Sequence, residues 1–112
     1  MDTFECSVLE VHSGDNFLAL INLGVDGLFK QVRIRLHGVD APDGYMKKAD
    51  TEAGIIRQEV KHILFEKNNI SKKCKFTLNY VRGTNWIGQL TCDNININEY
   101  LRDKGYIWMG AT

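Results

Sequence analysis

Apolar and polar positions alternate along five short stretches of this chain, and between the third and fourth the period lengthens to that of a helix. Residues 4–12 form the first stretch, closed by Ser13-Gly14-Asp15-Asn16, which is turn chemistry. Residues 17–23 form the second, followed by a turn at Gly24-Val25-Asp26-Gly27. In the third, 29–39, Val32, Ile34 and Leu36 alternate with Arg33, Arg35 and His37, so one face is apolar and the other cationic. Residues 40–50 hold the only proline, Pro42, and read as a loop.

From Thr51 onward, Ile56, Val60, Ile63 and Leu64 recur at helical spacing, with Arg57, Glu59, Lys61 and Glu66 outside. Asp50 or Thr51 can cap this helix, and Asn68-Asn69 is expected to end it. Alternation resumes over 74–81, with Phe76, Leu78 and Tyr80 assigned to one side and Tyr80 read as packing. It continues over 86–92 after the turn Arg82-Gly83-Thr84-Asn85. Asn96 with Glu99 three residues on resembles a capping box for a short second helix, with Gly105 just past its end. Three strands, a helix, two strands and a helix predict a β-rich α+β domain over residues 1–112. Its outline is an OB-type five-stranded barrel with one helix after strand 3 and a short one after strand 5.

Composition adds limits. The 112 residues are 44% apolar and 25% charged, as in globular rather than disordered chains. No apolar run suits a bilayer, and Met1-Asp2-Thr3-Phe4-Glu5 is not a secretory leader, so the expectation is a cytoplasmic protein with no membrane partner. Cys6, Cys74 and Cys92 are too widely spaced for a zinc knuckle, and their odd number does not indicate a disulfide framework. They read as reduced packing residues. A formal net charge of zero argues against strong non-specific DNA binding but permits a local basic groove.

The polar residues with chemical potential are Asp15, Arg35, Asp40 and Asp43. A meander can bring its first turn close to the exit of its third strand. Two carboxylates there, Asp15 and Asp40, suit a hard cation such as Ca²⁺ or Mg²⁺. Arg35 has the fork geometry for phosphate, and Asp43 could serve as a general base. Taken one at a time, these residues read better as a hairpin turn, a solvated strand face and a strand exit.

Several segments in register narrow the choice. Gly14-Asp15, followed by Arg35-Leu36-His37-Gly38-Val39-Asp40-Ala41-Pro42-Asp43, resembles two signatures of the staphylococcal nuclease (thermonuclease) family. Glu52-Ala53 opens a helix as in that family, and Asn85-Trp86-Ile87-Gly88-Gln89-Leu90 resembles its fifth-strand motif. Asn98-Glu99-Tyr100-Leu101 with Gly105-Tyr106 resembles its closing helix, so the likeness runs from about Val8 to Met109.

The resemblance implies an OB-type barrel of the staphylococcal nuclease type. It also implies a Ca²⁺-dependent phosphodiesterase acting on DNA or RNA, with single strands favoured. On it, Asp15, Asp40 and the carbonyl of Ala41 would hold Ca²⁺ or another divalent cation. Arg35 would bind the phosphate, and Asp43 and Gln89 occupy the remaining catalytic positions. Two departures weaken the chemistry. Asp43 replaces the family's Glu, shortening the base by about 1.5 Å, and a displacement of about 1 Å can cost on the order of 10²-fold in rate. Gln89 replaces the second arginine, and losing one such donor typically costs about 3–4 kcal/mol. Ser13, Asn16 and Ile87 also depart from the family pattern.

Arg33, Tyr45, Arg82 and Trp86 are candidate nucleic-acid contacts, while His12, His37 and His62 read as ordinary histidines. The alternative to a weakened hydrolase is an inactive module that keeps the barrel and binds nucleic acid or a protein partner.

Overall fold

The computed structural model describes residues 2–43, 51–68 and 70–109. The alternating stretches become strands because each buries its apolar row on one side. β1 (Thr3–Ser13), β2 (Asn16–Asn22) and β3 (Phe29–Leu36) form an antiparallel meander. β1 also pairs antiparallel with β4 (Lys73–Arg82), and β4 with β5 (Asn85–Cys92). β5 then returns to lie parallel to β3. The ring β3-β2-β1-β4-β5 is therefore a closed, mixed, OB-like barrel, and closure removes the unpaired edges an open sheet would present. A two-residue β6 (Ile95–Asn96) adds to β5. α1 (Glu52–Leu64) follows the third strand and α2 (Ile97–Asp103) follows the fifth, as the sequence predicts.

The barrel is filled by Val8, Phe17, Ile34, Phe76 and Leu90, all fully buried. Val60 and Leu64 of α1 and Leu101 of α2 join the same core. Burying each such side chain contributes about 1.5–3 kcal/mol, which is what holds the helices to the barrel. Thr51 caps α1 by accepting from the Gly54 amide at 3.0 Å, and Asn96 caps α2 by accepting from the Glu99 amide at 3.0 Å.

Three elements differ from the sequence reading. β3 stops at Leu36 rather than 39, because the chain turns through Gly38 at φ +75 and Val39 then bridges Ile107. α1 stops at Leu64, not at Asn68-Asn69, because Phe65 is extended and bridges Ser71.

The third difference carries function. Leu78 pairs with Gly88 but Tyr80 pairs with Ile87, so Asn79 is an extra residue, a β-bulge, in β4. One inserted residue inverts every later side chain between inside and outside. Tyr80, assigned to the core side by simple alternation, is thereby on the outer face and 37% exposed.

The three cysteines lie side by side, Cys6 opposite Cys74 and Cys74 opposite Cys92, all buried and all reduced. No helix among the described residues is long and apolar enough to cross a membrane.

Candidate functional site

The first turn and the exit of β3 meet, as the meander geometry requires. The Leu36 amide donates to the Asp15 carbonyl at 3.0 Å, and the Ala41 amide donates to Asp15 Oδ2 at 3.3 Å. Ser13 Oγ donates to Asp15 Oδ1 at 2.8 Å. Close approach is possible only because residue 14 is glycine: a Cβ there would lie 2.7 Å from Ile56 Cγ2 and 3.2 Å from Ala41 Cβ. Asp15 is consequently 3% exposed.

Arg35 projects from the outer face of β3, with one guanidinium nitrogen 3.9 Å from Asp15 Oδ2. Its other surroundings form a cleft of about 250 Å³ whose walls include His37, Asp40, Tyr80, Arg82 and Ile87. Asp40 is exposed and is anchored through its backbone, its amide donating to the Tyr106 carbonyl at 3.2 Å. The Tyr106 hydroxyl in turn donates to Glu52 at 2.7 Å, tying the β3 exit to the start of α1.

The predicted residues divide accordingly. Asp15 forms a long ion pair with Arg35, and Arg35 shares the cleft with Asp40 and Arg82. Ala41 contributes its amide to Asp15 and its methyl group to the core. Asp43 is exposed, three residues past Asp40. Gln89 is half-buried opposite Thr77 and, among the described residues, does not line the cleft. Arg33 is on the outer face of β3, its guanidinium donating to Asn16 at 3.3 Å. Trp86 packs on Phe4 with ring centroids 5.6 Å apart and borders a neighbouring groove with Arg33, so it belongs in part to the core. Tyr45 lies outside the described residues.

Three further residues join the cleft. Tyr80 enters the cleft through the bulge, and His37 meets its ring edge-on at 6.0 Å. Trp108 reaches the wall because its amide donates to the Gly38 carbonyl at 3.2 Å. The only signal for His37 was its place on the cationic row of β3.

A divalent cation can be tested against these donors. Asp15 is a buried carboxylate whose only ion pair among the described residues is the distant one with Arg35. Both its oxygens accept one hydrogen bond, and a carboxylate has about four acceptor sites, so lone pairs remain. A buried charge is stabilised by pairing or by metal coordination. The donors are all oxygen, as hard cations prefer. No cluster of three or more acidic, His or Cys side chains suited to a metal exists among the described residues. A cation here would have few protein ligands and would need water to complete its shell.

Fold and cleft together define an OB-like barrel with arginine and aromatic side chains gathered at the exit of β3. No family model matches the chain, and no curated protein matches it.

Proposed function

We propose that this chain is a barrel of the staphylococcal nuclease type that works as a slow, metal-dependent phosphodiesterase on DNA or RNA. The observation that carries the reading is the position of Arg35, between the buried carboxylate of Asp15 and a cleft that Asp40 also lines. Arg35 binds the phosphate, Asp15 and Asp40 supply oxygen ligands with the Ala41 carbonyl, and Asp43 is the base for the attacking water. The Ca²⁺ they hold, when bound, supplies charge neutralisation at the phosphate. Gln89 is neutral where the family has an arginine, so one charged donor to the transition state is missing, which is why the activity is slow.

A second reading is favoured by the same neutral residue: the cleft binds the phosphodiester and does not turn it over. One experiment separates the two. Single-stranded DNA and RNA are incubated with the protein in Ca²⁺ or in chelator, alongside Asp40→Ala and Gln89→Arg. Hydrolysis that requires Ca²⁺, disappears in Asp40→Ala and rises in Gln89→Arg supports the enzyme. Binding without cleavage by either the native chain or Gln89→Arg supports the module.

A further inference from the structure

The register of the outer face shows more than a single phosphate site. Arg33, Asn85 and Arg82 are direct partners across β3, β5 and β4, and Arg35, Ile87 and Tyr80 form the next row. All six side chains project from the same face, because each strand presents alternate residues. Successive strands are about 4.8 Å apart, and the two rows are about 6.7 Å apart along the strands. That row spacing is of the order of the distance between successive phosphates in an extended single strand.

Arg82 stands in this grid only because of the Asn79 bulge. Without the extra residue, simple alternation would place Tyr80 and Arg82 on the core side with Phe76 and Leu78. As it is, the Arg82 guanidinium carbon lies 5.8 Å from the centre of the Tyr80 ring, held over a π face. Arg33 is engaged with Asn16 and Arg35 with Asp15, whereas Arg82 has no ion pair among the described residues. Of the three, only Arg35 has a carboxylate partner, so Arg33 and Arg82 both keep uncompensated charge for a ligand.

Resting on the reading above, we propose that Arg82 is the second phosphate-binding cation of this cleft, in place of a charge at position 89. With Arg33 and Arg35 it forms a two-row track for consecutive phosphates of a single-stranded nucleic acid, with Tyr80 holding the Arg82 guanidinium in place.

The test is binding of a labelled eight-residue oligothymidylate, measured by anisotropy over a salt series in chelator, so that no turnover intervenes. Arg82→Gln weakens binding about tenfold, the loss of one charged hydrogen-bonding partner. It also lowers the slope of log affinity against log salt by about 0.7, the release of one counterion equivalent from a single strand. Arg82→Lys restores the slope. Lys67→Gln, a charge removed beyond the end of α1, changes neither quantity. If Arg82→Gln binds as the native chain does while Arg35→Gln binds weakly, the track is overturned and the phosphate-site reading stands. If the native chain fails to bind the oligonucleotide at low salt, both fall.

Discussion

Asn98, fully buried on α2, donates its amide to the backbone carbonyl of His37 at 2.9 Å. The same amide reaches the Gly88 carbonyl at 3.0 Å, and the Asn98 oxygen accepts from the Leu90 amide at 3.0 Å. One side chain therefore satisfies three backbone groups at the point where β3 leaves the barrel beside β5. If it is removed, the Gly88 carbonyl keeps the His37 amide at 2.9 Å, while the Leu90 amide and the His37 carbonyl lose this partner. Asn98→Ala is expected to cost about 3 kcal/mol in urea unfolding, since buried polar groups left unpaired cost about 1–3 kcal/mol each and some will recruit water. A loss under 1 kcal/mol would show that this hinge of the cleft is held by packing alone.

Gly88 is the next constraint on the same strand. A Cβ at this position would overlap the Thr77 carbonyl oxygen and lie 2.7 Å from the Phe76 ring. Backbone and a fully buried aromatic ring cannot both give way. Gly88→Ala is expected to destabilise by about 3 kcal/mol or more, or to prevent folding. A soluble, cooperative variant melting near the native temperature would contradict the packing described for β4 against β5.

The helix caps give a smaller, separable effect. Thr51→Ala removes the acceptor for the Gly54 amide, and Asn96→Ala the acceptor for the Glu99 amide. Each is expected to cost about 1 kcal/mol, measured as a shift in denaturant midpoint at unchanged slope. The two sites are on different helices with no shared partner, so the double variant should show close to the sum.

Most of the barrel was legible because its strands obey a two-residue period and its first helix a longer one. Val32, Ile34 and Leu36 point inward as their alternation implies, and Asn96 caps α2 as its spacing to Glu99 implies. What alternation cannot show is a change of phase. The bulge at Asn79 depends on how β4 fits against β5, a partner that local pattern does not reveal. Simple alternation therefore puts Tyr80 on the wrong side of the sheet. Trp86, a candidate nucleic-acid contact from its place near the site, sits at an even position of β5 that faces the core with Leu90. Asp15 and Arg35 came together because both sit on the β2–β3 side of one meander, where Asn16 pairs with Arg35. That contact was foreseeable from topology, whereas the Tyr106 hydroxyl bond to Glu52 joins residues far apart in sequence and carries no local signal.

The row of thiols leads to a prediction about alkaline pH. Burial pushes the Cys6 thiol from an ordinary 9.0 up to about 12, with the neighbouring Cys92 adding to the effect. Burial also raises Cys74 and Cys92. The Glu52 carboxylate, accepting the hydroxyl proton, raises Tyr106 from 10.0 to about 12. In each case the native state holds the proton more tightly than the unfolded chain. The associated stability is complete below about pH 9 and is lost as pH climbs through about 12, because the unfolded state ionises first. Over that window the Cys6 thiol lowers stability by about 1.4 kcal/mol per pH unit, and Cys74 and Cys92 act in the same direction. Unfolding free energy should therefore be level from pH 7 to 8.5 and fall steeply above about pH 9, and a Cys74→Ser variant should fall less steeply. At pH 8 a disulfide reagent should react slowly with all three cysteines of the native protein and rapidly once denaturant is added, because only the thiolate is nucleophilic. Rapid modification of Cys6 or Cys74 in the native state at that pH would mean that this row is open to solvent and that the core across β1, β4 and β5 is not packed as described.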